Sequence, residues 1–216
     1  MAEGSAPIGG IDISADTAAA SRRANYALAV LFIVTMLNFL DRQVISIVAE
    51  PIKRDLGLSD TQLGLMTGLS FAVFYTTLAI PLAALADRWN RSRIIAIAIA
   101  VWSLMTVLCG IAGNFVQLFL ARVGVGIGEA GSAPASHSLI ADLFPPERRA
   151  GALGIMGAAV PVGAFIAYAG GGYITEMFSW RAAFLLAGLP GIIIAFLIWF
   201  TVPDPRGKVS LARAFQ

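Results

Sequence analysis

The chain has 216 residues and a net charge of +2, with 58% hydrophobic and 13% charged residues, and its mean hydropathy is +0.80. Soluble domains carry about 25% charged residues on average, so this composition excludes a soluble globular protein. The basic residues interrupt apolar runs and form no single patch, which argues against a nucleic-acid-binding protein, and the single Cys109 gives neither a disulfide framework nor a metal-ligand spacing.

The chain starts with a polar segment and continues with six apolar stretches. Residues 1–21 are rich in Ala, Gly and Ser and lack the basic start and apolar core of a secretory signal, so we expect a disordered cytoplasmic tail there. A membrane-spanning helix needs about 20 mostly apolar residues. Six stretches of that kind, separated by short loops, are predicted spans: 26–48, 61–86, 94–112, 115–141, 150–175 and 182–202.

The basic residues predict how these spans are oriented, because short cytoplasmic loops carry an excess of Lys and Arg. Lys53, Arg54 and Arg181 fall on one side of the membrane. The other side has the larger set: Arg22, Arg23, Arg88, Arg91, Arg93, Arg148, Arg149, Arg206, Lys208 and Arg213. Both termini of the chain are therefore predicted to be cytoplasmic, in an inner or plasma membrane.

The loop between the second and third spans carries a recognisable motif. Residues 83–93 read AALADRWNRSR. They resemble the signature G-x-L-A-D-R-x-G-R-R of the major facilitator superfamily, although Ala83 and Asn90 stand where that signature has glycine. The resemblance implies a cytoplasmic gate that stabilises the outward-open state. Its residues would be Asp87, Arg88, Arg91 and Arg93. The alternative interpretation is that the arginines only enforce topology.

Later segments extend the resemblance over residues 26–205 in the expected order. Residues 122–131 look like the arginine-and-glycine motif of the family's fourth helix, and residues 179–184 like the start of its sixth. Three segments resemble the narrower Spinster family of lipid transporters: 39–43, 128–130 and 142–150.

The resemblance implies an all-α membrane protein with six transmembrane helices in two inverted three-helix repeats, half of a twelve-helix fold. Residues 22–205 would form this N-terminal bundle, and residues 206–216 the start of the cytoplasmic linker between halves. A C-terminal six-helix half is then expected in the full-length protein.

Four ionisable residues fall inside predicted spans: Asp41, Arg42, Arg122 and Glu129. Such residues are costly in a bilayer and rarely face lipid, so each is a candidate for proton coupling or substrate binding. At about 1.5 Å per residue, Asp41 and Arg122 lie at nearly the same depth. Either an Asp41–Arg122 or an Arg42–Glu129 interaction is reasonable, and a purely structural ion pair between the first and fourth helices is the alternative.

Two further features of the fourth span have simple structural interpretations. Residues 126–131 match the dinucleotide fingerprint G-x-G-x-x-G, but no strand precedes them. Gly124 and Gly128, four residues apart, instead predict close approach of another helix. His137 is expected to pack in the interior rather than to act in catalysis or proton relay.

The resemblance to Spinster implies a proton-coupled secondary transporter that moves an amphipathic lipid, such as a lysophospholipid or sphingoid phosphate, by alternating access. Its partners would be this substrate, protons and membrane lipids, with no nucleic acid, cofactor or metal and no enzymatic activity. The alternative is a proton-coupled transporter of a small organic anion, a sugar acid or carboxylate, held by Arg42 and Arg122. A non-transport membrane scaffold or a membrane enzyme is the remaining alternative.

Overall fold

The computed structural model describes residues 13–205, apart from the side chains of residues 13–17, 69–71 and 86–88. Every regular element in this described part is helical. The α-helices are α1 Ile13–Ile47, α2 Ala49–Leu56, α3 Asp60–Gly64, α4 Ser70–Arg88, α5 Arg91–Ile111, α6 Phe115–Ala130, α7 Ser132–Leu143, α8 Pro146–Met177 and α9 Trp180–Thr201. A π-helical turn, Leu65–Leu69, joins α3 to α4.

Five helical stretches of the described part are long and apolar enough to cross a membrane. They match the first, second, third, fifth and sixth predicted spans: Ala18–Ile47, Asp60–Leu85, Arg91–Ile111, Pro146–Met177 and Trp180–Thr201. The predicted fourth span is present as two successive helices, α6 and α7, each too short to meet the same criterion.

Pro134 explains why the fourth span is divided. A proline has no N–H, and its ring clashes with the carbonyl of the residue four positions earlier, which here is Ala130. The helix α6 ends at that residue, and α7 begins at Ser132 after Gly131 at φ −84° and ψ −19°. Gly131 keeps a right-handed helical conformation, but the series of backbone hydrogen bonds within the helix is interrupted there.

The helices extend past the boundaries that the apolar stretches predict. Charged residues end an apolar stretch, but a helix continues until a capping residue or a proline stops it. Side chains of Ser59, Asn90, Asn114 and Ser179 accept hydrogen bonds from the first turns of α3, α5, α6 and α9. Residues 49–56, predicted as a loop, form α2, which Gly57 ends in the left-handed conformation at φ 62°.

The predicted terminal segments are only partly described. The structure has α1 starting at Ile13, so residues 13–21 are helical and the expected disorder is wrong for them. The remainder of the predicted tail, residues 1–12, and the predicted linker, residues 206–216, lie outside the described residues.

The long helices pack as two equivalent groups of three. The first group is α1, α3–α4 and α5, and the second is α6–α7, α8 and α9. The most extensive contacts run between the two groups: α5 packs on α9, α1 on α8, and α6 on both α5 and α4. Because each group has an odd number of spans, the second starts on the opposite side of the membrane, which is the inverted repeat that the sequence predicts.

Glycines allow these helices to approach closely. A Cβ atom at Gly128 would lie 2.7 Å from the backbone nitrogen of Trp102 on α5, and one at Gly124 would lie 2.6 Å from the sulfur of Met105. The predicted packing role of this glycine pair is therefore confirmed. On α8, a Cβ atom at Gly163 would overlap the carbonyl oxygen of Met36 on α1.

Candidate functional site

The four ionisable residues of the predicted spans lie close together between α1 and α6. Asp41 and Arg42 come from α1, and Arg122 and Glu129 from α6. Arg42 Nε donates a hydrogen bond to Glu129 Oε2 at 2.8 Å. The other three residues are buried, whereas 24% of the Arg42 side chain is exposed. We call these four residues the charge cluster.

Both pairings that the sequence left open are found in the charge cluster. Arg42 binds Glu129 directly, and Arg122 interacts electrostatically with Asp41. Asp41 Oδ2 also accepts a hydrogen bond from Thr106 Oγ1 of α5 at 2.5 Å. Sequence reasoning missed Thr106, because a single hydroxyl in an apolar helix gives no signal that distinguishes it from other hydroxyls.

Each carboxylate of the charge cluster keeps one oxygen atom that accepts no hydrogen bond from any described residue. These atoms are Asp41 Oδ1 and Glu129 Oε1, and both are buried. A buried polar atom without a partner costs free energy. Both oxygens are therefore available to carry a proton, which would turn the acceptor into a donor and remove the charge.

Arg42 connects the charge cluster to a cavity. Its guanidinium carbon lies 4.6 Å from the centre of the Tyr75 ring on α4 and 5.2 Å from that of Phe39. These distances are within the range of cation–π interactions. Two aromatic faces and one carboxylate thus fix the guanidinium, with its exposed part directed away from the core.

This cavity has a volume of about 270 Å³ and is bounded by α1, α4, α7 and α8. Its polar lining includes Asn38, Arg42 and His137, while Met156 and Val160 of α8 are among its apolar lining residues. His137, for which a packing role was expected, is exposed and lines this cavity. The break between α6 and α7 separates His137 from Glu129. Glu129 lies on α6, whereas Pro134 and His137 lie on α7.

The gate motif is only partly described. Arg93 is exposed, and the side chains of Asp87 and Arg88 lie outside the described part, although their backbone ends α4. Arg91 is completely buried. A gating role of these four residues stays a prediction.

Arg91 ties three segments together at this end of the bundle. Its Nη2 donates to Asp142 Oδ2 of α7 at 2.6 Å and to Asp204 Oδ1, after α9, at 3.3 Å. Its backbone N–H donates to Asp204 Oδ2 at 2.6 Å, and its Nη1 donates to the carbonyl and hydroxyl oxygens of Ser138 at 2.8 and 2.9 Å. Asp204 was not predicted as a partner, because its contact with Arg91 spans 113 positions and leaves no local pattern.

A second polar contact joins α2 to α9 at the opposite end of the bundle. Arg181 Nη1 donates to Asp55 Oδ2 at 2.5 Å, Trp180 Nε1 donates to the same oxygen at 3.1 Å, and Arg181 Nη2 donates to the carbonyl of Ala112 at 3.3 Å. The hydrogen bond from Arg181, reinforced by that from Trp180, lowers the pKa of Asp55 below its usual range.

Comparison with known proteins gives a consistent result. Residues 31–215 match the Major Facilitator Superfamily. The chain is similar to an MFS-type efflux pump of Mycolicibacterium smegmatis, with 39% identity over 92% of this chain and 46% of the pump. It is also similar to the hexuronate transporter of Bacillus subtilis, with 34% identity over 85% of this chain and 43% of that protein.

A solved structure shows the same arrangement of helices. It is a crystal structure of a bacterial homolog to the human lysosomal transporter Spinster, in an inward-facing and unoccupied conformation. The TM-score is 0.76 and the identity 41%, over 85% of this chain and 44% of that chain. The chain spans less than half the length of each of these three proteins.

Proposed function

This chain belongs to the Major Facilitator Superfamily, and from that membership we propose that it forms the N-terminal half of a proton-coupled secondary transporter working by alternating access. The observation that carries the proposal is the charge cluster beside the cavity. Each of two buried carboxylates has an oxygen that accepts no hydrogen bond from the described residues, and one of the two, Glu129, binds Arg42, which lines the cavity.

Coupling follows from competition for Arg42. A negatively charged group that enters the cavity attracts the guanidinium that now binds Glu129 at 2.8 Å. Removing one partner of a buried ion pair leaves a charge that is costly to keep. Glu129 then takes up a proton, and it releases the proton when the substrate leaves and Arg42 returns. Substrate and proton are thereby linked without direct contact.

An amphipathic lipid of the lysophospholipid or sphingoid phosphate type fits the two-sided lining of the cavity. Arg42, Asn38 and His137 offer a polar wall to an anionic headgroup, while Met156 and Val160 offer an apolar wall to an acyl chain. The sequence resemblance to the Spinster family of lipid transporters motivates this substrate class, and the chain is similar to a solved bacterial Spinster homolog.

A small organic anion, a sugar acid or a carboxylate, is the second candidate. The similarity to the hexuronate transporter favours it, as does the polar side of the cavity. Hydroxyl-rich substrates would use Ser136 and Asn38 as hydrogen-bonding partners, in addition to the ion pair with Arg42. The apolar side of the cavity would then be left without a function in binding.

The remaining parts of the proposal concern the surroundings of the chain. We expect an inner or plasma membrane, with the end of the bundle that carries Arg91 and Arg93 in the cytoplasm. A second six-helix half would cover the cavity and pack on the exposed apolar faces beside it. Ile80 of α4 and Phe165 of α8, on two of the helices that bound the cavity, are exposed by 79% and 72%.

The proposal is tested with the full-length protein reconstituted in liposomes under an imposed pH gradient. One arm follows uptake of a fluorescent lysophospholipid, corrected for spontaneous insertion with protein-free liposomes, and the other follows a radiolabelled hexuronate. We expect gradient-dependent uptake of the lysophospholipid, abolished by a protonophore. Uptake of the hexuronate alone would establish the second candidate instead, and the absence of gradient-dependent uptake in both arms would contradict proton-coupled transport of either class.

A further inference from the structure

A second concave surface lies between α5 and α9, with a volume of about 230 Å³. Its lining is apolar and aromatic: Ala96, Ile97 and Ala100 from α5, and Phe196, Trp199 and Phe200 from α9. We call it the α5–α9 groove. All four of its large side chains are exposed, so the groove is open along one side: Ile97, Phe196, Trp199 and Phe200.

The α5–α9 groove is separate from the proposed transport cavity. None of its lining residues lines that cavity, which α1, α4, α7 and α8 enclose. The helices α5 and α9 are the third members of their groups and pack chiefly on each other. Their outer faces therefore lie at the periphery of the bundle, where the surrounding medium of a membrane protein is lipid.

One end of the groove is positively charged. The guanidinium carbon of Arg93 lies 5.5 Å from the centre of the Trp199 ring, and Arg93 itself is exposed. Arginine beside an aromatic ring at the end of a spanning helix is typical of the interface between lipid tails and headgroups. The charge is therefore positioned where a headgroup would lie when the apolar groove holds a lipid tail.

The start of α1 adds positive charge at the same end. Tyr26 hydroxyl and Thr201 Oγ1 are 2.6 Å apart, which brings α1 against the last turn of α9. Arg22 and Arg23 precede Tyr26 by four and three residues, so they lie on the same face of α1. Both are exposed. Asp204, which follows α9, is buried and bound to Arg91, so it does not offset these charges at the surface.

We propose that the α5–α9 groove is a binding site for an anionic phospholipid of the cytoplasmic leaflet. One acyl chain lies between Ile97 and Phe200, and the phosphate contacts Arg93. Anionic lipids are concentrated on the cytoplasmic face of membranes, and basic pockets between spanning helices on that face bind their headgroups. The site takes a resident lipid rather than the transported substrate, because it faces away from the charge cluster.

Native mass spectrometry of the full-length protein in detergent tests this site directly. Phosphatidylglycerol and phosphatidylcholine with identical acyl chains are titrated separately, together with the variants Arg93→Gln and Ala100→Phe. We expect tighter binding of phosphatidylglycerol by the unmodified protein. Arg93→Gln should weaken it about fivefold, the effect of one arginine near an anionic headgroup, and Ala100→Phe should weaken it by filling the groove.

Arg148→Gln is the matched control. Arg148 is exposed and lies 5.8 Å from the Phe144 ring, but it is outside the α5–α9 groove. Its substitution should leave phosphatidylglycerol binding unchanged, with thermal unfolding confirming that all variants fold. Equal effects of Arg93→Gln and Arg148→Gln would overturn the proposal, because they would indicate a general attraction to positive charge.

Two more outcomes decide between a lipid and a headgroup alone. If Ala100→Phe leaves binding intact, the acyl chain does not occupy the groove and the proposal is wrong. Displacement of phosphatidylglycerol by glycerol 3-phosphate would likewise contradict the proposal, because a soluble phosphate has no acyl chain to bind the apolar walls of the groove. The experiment measures bound lipid by mass and does not measure uptake. Its result therefore does not depend on whether the transport hypothesis is correct.

Discussion

Four ionisable side chains lie close together in this molecule, three of them buried, and their formal charges cancel. Asp41 and Glu129 offset Arg42 and Arg122 between α1 and α6. Burying an uncompensated charge would cost on the order of several kcal/mol. The balance is therefore sensitive to any single neutralisation, which provides a direct test of function at the residue scale.

Neutralising either carboxylate should abolish pH-driven uptake by the full-length protein while leaving it folded. Glu129→Gln and Asp41→Asn keep the size of the side chains and one oxygen that accepts hydrogen bonds, but they cannot exchange a proton. Uptake is measured in liposomes under a pH gradient, with Glu176→Gln, at an exposed position of α8, as the control. Wild-type proton-driven uptake in both variants would contradict a coupling role for this cluster.

Removing Arg91 should strongly destabilise the folded protein. Arg91→Met removes an ion pair with the buried Asp204, and breaking a buried pair from one side typically costs about 3–5 kcal/mol. The free energy of unfolding is measured by titration with SDS in mixed micelles. Arg93→Gln, two positions further along, alters an exposed side chain and should change it by less than about 0.5 kcal/mol; a similar loss in both variants would disprove the structural role of Arg91.

The sequence made the members of the charge cluster predictable but not their pairing. Charges inside apolar stretches stand out by composition, whereas the choice between Glu129 and Arg122 as the direct partner of α1 depends on how far each helix is rotated about its axis. That rotation is set by packing, for example of Gly163 against Met36. Thr106 was not predicted, because a single hydroxyl in an apolar helix does not stand out in the sequence.

At the scale of elements, the close approach of α8 to α1 depends on a glycine. Gly163→Ala should destabilise the protein, because its new methyl group would overlap the Met36 carbonyl, and overpacking costs about 1–3 kcal/mol. Gly154→Ala on the same helix meets no atom within 4 Å and should stabilise it by up to about 1 kcal/mol through helix propensity. Unfolding in mixed micelles gives both values. If Gly163→Ala is the more stable of the two, the packing argument fails.

The contact between α2 and α9 should depend on pH. The pKa of Asp55 is lowered in the folded protein, so its contribution is fully present above its unfolded pKa of about 3.9 and is lost as the pH falls through the lower, folded value. A spin label at position 54, where 79% of the Arg54 side chain is exposed, should become more mobile at acidic pH. Cys109 is buried and does not compete for the label.

Asp55→Asn supplies the control for this measurement. It should give a mobile label already at neutral pH and remove the transition at low pH, because the amide cannot form the ion pair with Arg181. Retention of the acidic transition in Asp55→Asn would show that another group controls α2.

The elements themselves were predictable to the extent that hydropathy defines them. The six spans were predictable because apolar length is a strong signal. Pro134 divides the fourth of them into α6 and α7. The helix α2 was missed, since eight residues with alternating polar and apolar faces form no apolar stretch. Its boundaries instead depend on Gly57 and on contacts with α9.

At the scale of the whole molecule, the chain presents a cavity and apolar faces that the described residues leave uncovered. Arg42 lies on that cavity. Exposure of this charge to lipid would cost at least about 2.5 kcal/mol on insertion scales. Isolated from any other half, the bundle should therefore pair with a second copy or keep its cavity hydrated.

The 216-residue chain, reconstituted as a monomer, should show no concentrative, proton-dependent uptake of a lysolipid or an organic anion. Alternating access requires two halves that rock around a shared site, and this bundle supplies one wall of it. The full-length protein at equal density is the positive control. Robust uptake by the 216-residue chain would refute both the twelve-helix proposal and our interpretation of the charged face.

The bond between Arg42 and Glu129 also bears on how the protein is made. Spanning segments enter the bilayer one after another during synthesis, and a charge at the centre of a segment costs about 2.5–3.5 kcal/mol on the scale that governs this step. The helix α6 carries two such charges, and its partner on α1 was synthesised 87 residues earlier. We therefore expect α6 to insert more readily when α1 is still beside the translocon and its arginine can meet the carboxylate of α6. The ion pair would then act in assembly as well as in the finished site.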